Sequence, residues 1–153
     1  MPEAAFYHLT RQRPEEALLD LVPRARGRGW RLGIRGGDEE RLKWLDEKLW
    51  LGPKESFLPH GLEGGAHDAR QPILLGARAT ANDPQCLFVI DGATVSEDDV
   101  SARDRVAILF DGGDERAVSD ARALWSALTG AGLPARYWSQ ESGRWEEKAS
   151  KNV

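Results

Sequence analysis

Apolar positions along this chain come in short bursts separated by amphipathic stretches. Phe6 to Leu9 is the first burst and reads as a strand. From Pro14 the spacing becomes helical: Ala17, Leu18, Leu21, Val22 and Ala25 share one face, and Glu15 and Glu16 sit at the positive end of the dipole. Pro23 interrupts the pattern and predicts a kink or a break. Gly27 and Gly29 close the segment. Trp30 to Ile34 alternates as a second strand. Asp38 then caps a second helix, with Leu42, Leu45 and Leu49 on one stripe and Trp50 at its end, before Gly52-Pro53 stops it.

The second half repeats the rhythm. Glu63 to Gln71 is a Gly-rich polar loop, and Ile73 to Leu75, Cys86 to Ile90 and Val106 to Phe110 are apolar runs that read as buried strands. Ser96 to Asp104 reads as an acidic connection between the last two. Asp111-Gly112-Gly113-Asp114 opens a third helix that buries Ala117, Ala121, Leu124, Trp125 and Leu128. Ala135 to Trp138 is a final strand, and from Ser139 the tail is polar apart from Trp145. Strands alternating with helices predict an α/β fold. Its form is a three-layer sandwich, a mostly parallel sheet with helices on both faces. One domain over residues 1–153 is expected, with 139–153 as a partly polar tail.

Composition narrows the function. At 153 residues, 41% apolar and 30% charged, the chain reads as globular. A net charge of −4 argues against strong direct nucleic-acid binding, which needs clustered Lys and Arg, but leaves room for a local basic patch. The one cysteine, Cys86, lies in an apolar run; no disulfide framework is possible, and a cytoplasmic location is expected. The N-terminus has no basic region followed by an apolar block, so no signal peptide is expected. No apolar run nears the roughly 20 residues that span a bilayer.

Chemistry has few footholds. Val89-Ile90-Asp91-Gly92 and Leu109-Phe110-Asp111-Gly112 put an acid at two strand ends, where ligands of open α/β sheets bind. Asp91 and Asp111 around a metal would make a small phosphohydrolase-type enzyme. The simpler reading is that Asp-Gly makes a turn. Neither GxGxxG nor GxxxxGK[ST] occurs. His60, His67, Asp68 and Cys86 lack the tight spacing of a zinc site; His60 is expected to order a turn and Cys86 to sit in the core. His8 is expected to be hydrogen-bonded within its strand, and Ser56 and Ser142 lack a nucleophile context. No catalytic residue, metal or cofactor is therefore expected.

A binding surface is the remaining reading. Leu42 to Leu62 joins a Leu/Trp-rich helix end to Ser56-Phe57-Leu58-Pro59-His60. With Arg122 and Trp125 from the third helix, this stretch is expected to make one surface. An apolar slot beside an arginine suits a peptide anchor with a carboxylate. The alternative is that these aromatic residues all pack inside.

At these residues the chain resembles the chi subunit of bacterial DNA polymerase III. The resemblance rests on Phe6-Tyr7, Leu45-Asp46-Glu47-Lys48-Leu49-Trp50 and above all Glu55-Ser56-Phe57-Leu58-Pro59-His60-Gly61. It continues through Gln71-Pro72-Ile73-Leu74-Leu75, Val106 to Phe110, Ala121-Arg122, Trp125, Tyr137-Trp138 and Gly143-Arg144-Trp145-Glu146. It implies a Rossmann-like fold without nucleotide chemistry, in a clamp-loader accessory subunit that has no activity of its own. Such subunits join the clamp loader through psi and bind the acidic C-terminal tail of single-stranded DNA-binding protein, which ends in Ile-Pro-Phe. The tail pocket it implies matches Trp50, Phe57, Arg122 and Trp125, with Pro59 and His60 beside them. Arg41 and Lys48 are candidate partners for the tail's acidic residues. Two departures stand out. Trp125 replaces a frequent Tyr, and Val118 replaces a basic residue one turn before Arg122.

Overall fold

The computed structural model describes residues 2–50 and 60–153, the side chains of Leu49 and Trp50 excepted. Strand β1 (Glu3–Leu9) leads into α1 (Pro14–Gly27), and β2 (Leu32–Gly36) into α2 (Glu39–Trp50). Then come β3 (Gly61–Leu62), β4 (Ile73–Gly76), β5 (Cys86–Ile90), α3 (Glu97–Ser101), β6 (Arg105–Asp111), α4 (Glu115–Gly130), β7 (Ala135–Ser139) and β8 (Glu146–Lys151). The strands form one eight-stranded sheet in the order β3-β4-β2-β5-β6-β1-β7-β8. Every described pairing is parallel except β7 with β8.

This order decides which face each helix covers. The crossovers β1-α1-β2 and β2-α2-β3 travel toward the β3 edge, whereas β5-α3-β6 and β6-α4-β7 travel back toward β8. Right-handed crossovers running in opposite directions lie on opposite faces. The core divides accordingly. Leu18 and Val22 of α1 and Leu42 and Leu45 of α2 pack with Ile34, Phe88 and Leu109. Ala121 and Leu128 of α4 and Val100 of α3 pack with Phe6, Val89 and Ile108. Alternation along β6 sends Leu109 to one layer and Ile108 to the other.

Four features differ from the sequence reading. Helix α1 is not divided at Pro23 and runs on to Gly27 as one element. The acidic connection after Ser96 contains α3, closed by reciprocal bonds between Ser96 and Asp99. The polar tail supplies an edge strand, β8, and its Asn152 donates to the carbonyls of Thr129, in the last turn of α4, and of Leu133 after it. The two-residue β3 starts at Gly61, and the loop after it is tied by the Asp68 carboxylate, which accepts from Gly64 and Gly65.

Arg35 crosses from the sheet to α3. It donates to Asp99 at 2.7 and 3.0 Å and to the carbonyls of Arg78 and Thr94, both at 2.9 Å. Its charge is buried, paired and hydrogen-bonded, the condition under which a buried cation is tolerated.

Candidate functional site

Asp114 caps α4 by accepting from the amides of Arg116 and Ala117. The helix turns Ala121 and Leu128 into the core, and along its flank Val118 and Trp125 are half-buried while Arg122 is exposed. Trp125 meets Phe6 of β1 edge-on at 5.4 Å between centroids and Tyr137 of β7 at 6.0 Å. The cluster continues to the carboxyl ends of β1 and β6: Tyr137 lies 6.1 Å from Phe110, and its hydroxyl is 2.5 Å from His8 Nδ1. A Cβ at residue 112 would come within 2.2 Å of His8 Nε2, so Gly112 is what lets the histidine lie there. Burial raises the Tyr137 pKa, Arg122 works against that rise and Glu141 adds to it. The guanidinium therefore acts on the half-buried phenol. Among the described residues the Arg122 side chain has no hydrogen bond or ion pair.

The other described site residues lie elsewhere. Arg122 and Trp125 belong to the α4 face; α2, which carries Arg41 and Lys48 and ends at Trp50, covers the opposite face. The described parts of α2 and α4 cover opposite faces because their crossovers run in opposite directions. Arg41 is engaged, donating to Glu15 at 2.8 Å and Asp91 at 2.9 Å. Lys48 is exposed, its ammonium 5.3 Å from the Trp44 ring centroid. His60 is buried, with Nε2 3.0 Å from the Asp46 carbonyl oxygen and 3.3 Å from its carboxylate, which agrees with a turn-ordering role. The Trp50 side chain, Phe57 and Pro59 lie outside the described residues.

The strand-end acids behave as turn residues. Asp111 Oδ1 accepts the Gly113 amide at 2.8 Å, and Asp91, at φ 52°, holds the Arg41 guanidinium. Among the described residues no group of three His, Cys, Asp or Glu is arranged to hold a metal ion. Burial pushes the Cys86 thiol up to about 12, so it stays protonated and unreactive. Sequence reasoning missed Tyr137 as a neighbour of Arg122, and His8 and Phe110 as neighbours of Tyr137. The alternation in Ala135-Arg136-Tyr137 already placed Tyr137 with Ala135 on one sheet face, but not which helix covers that face.

Fold and site define an open, mostly parallel α/β sandwich with, on one helix flank, an aromatic cluster and an exposed arginine that is unpaired among the described residues. The model of the family "DNA polymerase III chi subunit, HolC" matches residues 1–136, and the chain belongs to that family. A relative is DNA polymerase III subunit chi of Escherichia coli (strain K12), 35% identical over 80 residues. That match covers 48% of this chain and 54% of the relative, about half its length. Among the described residues no helix is long and apolar enough to cross a membrane.

Proposed function

We propose that the chain is a non-catalytic accessory subunit that joins the clamp loader, through psi, to single-stranded DNA-binding protein by capturing that protein's acidic C-terminal tail. The observation that carries this reading is Arg122, an exposed arginine without a partner among the described residues, beside the Trp125–Tyr137–Phe110 cluster. A terminal carboxylate and a guanidinium form a charge-assisted, often bidentate pair. The ring of a terminal Phe adds apolar and aromatic contact against Trp125 and Tyr137. Val118 leaves the turn before Arg122 without a second cation, and Arg41 is occupied, so the anchor residues rather than the acidic run supply most of the affinity.

Joining two partners at once takes two surfaces that do not overlap. The described part of α2, where Lys48 is exposed, lies on the other face of the sheet and is the surface we assign to psi or the clamp loader. The test is a calorimetric titration with a peptide ending in Asp-Asp-Asp-Ile-Pro-Phe and with the same peptide lacking Phe. Micromolar affinity, about −8 kcal/mol, is expected for the first and none for the second. Equal binding of the two peptides contradicts the reading.

A further inference from the structure

The α1 face is unevenly covered. Its helices α1 and α2 pack over the strands from β6 to the β3 edge, and no described helix follows over β7 and β8. Residues that alternation sends to that side of the sheet line a groove of about 220 Å³ at the α1 border. Tyr7 of β1 and Trp138 of β7 form part of its wall, with Trp30 before β2 and Trp145 before β8. Three of the chain's six tryptophans thus meet in one groove. Trp145 meets Tyr7 edge-on at 5.1 Å. All three indoles are half-buried, and the Tyr7 pKa is raised by burial and drawn back by Arg105.

The groove is cationic in a chain whose net charge is −4. Arg28 and Arg105 lie 4.8 and 5.6 Å from the Trp30 ring centroid. Arg105 is partly neutralised, with Nε 3.4 Å from Glu3. Arg24 and Arg28 are exposed, and their side chains have no hydrogen bond or ion pair among the described residues. Four aromatic rings beside two unpaired guanidinium groups exceed what a single peptide anchor needs. They match a strand that offers a ring and a phosphate at every unit, with bases on the tryptophans and phosphates on the arginines.

We propose that the groove between α1 and the β7–β8 flank is a contact site for single-stranded nucleic acid. It lies across the sheet from Arg122, so the chain can hold a peptide and a strand together. The −4 charge limits this to weak, salt-labile binding.

The test is fluorescence anisotropy of a labelled oligothymidylate about 12 nucleotides long, titrated with the full chain at about 50 mM salt and again at higher salt. Changing Arg24→Gln and Arg28→Gln together is expected to weaken binding about tenfold. It should also flatten the salt dependence by about 1.4 in log–log slope, two single-strand phosphates' worth. Trp138→Ala is expected to weaken binding about fivefold or more. A single charge change on the α4 face, Arg116→Gln, should leave it within about twofold. Both altered arginines of the groove are exposed, so the double variant gives the result even where Trp138→Ala disturbs the fold. No binding at the lower salt overturns the proposal, as does binding that the double variant leaves unchanged. If the oligonucleotide fails to bind while the double variant weakens the acidic peptide, the groove is a peptide site and the proposal is equally overturned.

Discussion

The two helix flanks to which the sequence assigns one task treat their arginines in opposite ways. On α2, Arg41 is held by Glu15 and Asp91, and deeper in the same half of the sheet Arg35 is fixed by Asp99 and two carbonyls. On α4, Arg122 has an aromatic cluster beside it and, among the described residues, no ion pair. A guanidinium already bonded to carboxylates offers an incoming carboxylate little, since the new pair must replace an old one. Residue type is the same in both regions, with Arg41 in the first turn of α2 and Arg122 in the middle of α4; the availability of the cation is what differs. That availability is a property of the fold, because Asp91 and Glu15 are distant from Arg41 in sequence.

The contrast can be broken by substitution. Arg35→Ala leaves Asp99 and the carbonyls of Arg78 and Thr94 short of a donor and is expected to cost about 3 kcal/mol of stability, read from the urea midpoint. Arg122→Ala should leave that midpoint within about 0.5 kcal/mol of wild type but cost roughly 2 kcal/mol in tail affinity. Arg41→Ala should do the reverse: a loss of at most about 1 kcal/mol in stability, from a half-exposed pair, and unchanged tail binding.

Acid gives a smaller and graded test. Burial pushes the Asp99 carboxyl up, but Arg35 and the Ser96 amide outweigh it and hold the group at about 2, below its ordinary 3.8. A depressed carboxylate contributes stability that is complete above its unfolded pKa and is lost as pH falls through the folded one. The urea midpoint is therefore expected to drop between about pH 4 and pH 2, and Asp99→Asn should flatten that part of the drop. A midpoint that falls equally in both proteins would remove Asp99 from the account.

Much of the sheet was legible because buried parallel strands are short apolar runs, as in Cys86 to Ile90 and Val106 to Phe110. Strand β8 was not, since Glu-Glu-Lys-Ala-Ser-Lys has no buried face and exists through its antiparallel bonds to β7. Helix α3 had a readable signal in Ser96 and Asp99, a capping pair, outweighed by its acidic run. The candidate site was half legible. Arg122 and Trp125 are three apart on one helix, and that local spacing held. That α2 and α4 cover opposite faces depends on crossover direction, hence on strand order, which periodicity does not encode. The same ignorance of faces hid the tryptophan groove: Tyr7, Trp30, Trp138 and Trp145 lie far apart in sequence and meet only across β1, β7 and α1.

The most direct measurement is a calorimetric titration of the Asp-Asp-Asp-Ile-Pro-Phe peptide into Arg122→Ala and Trp50→Ala side by side with wild type. If the α4 flank alone captures the tail, Arg122→Ala loses about thirtyfold in affinity, roughly 2 kcal/mol, and Trp50→Ala binds like wild type. Equal losses in the two variants, or wild-type binding by Arg122→Ala, would contradict it.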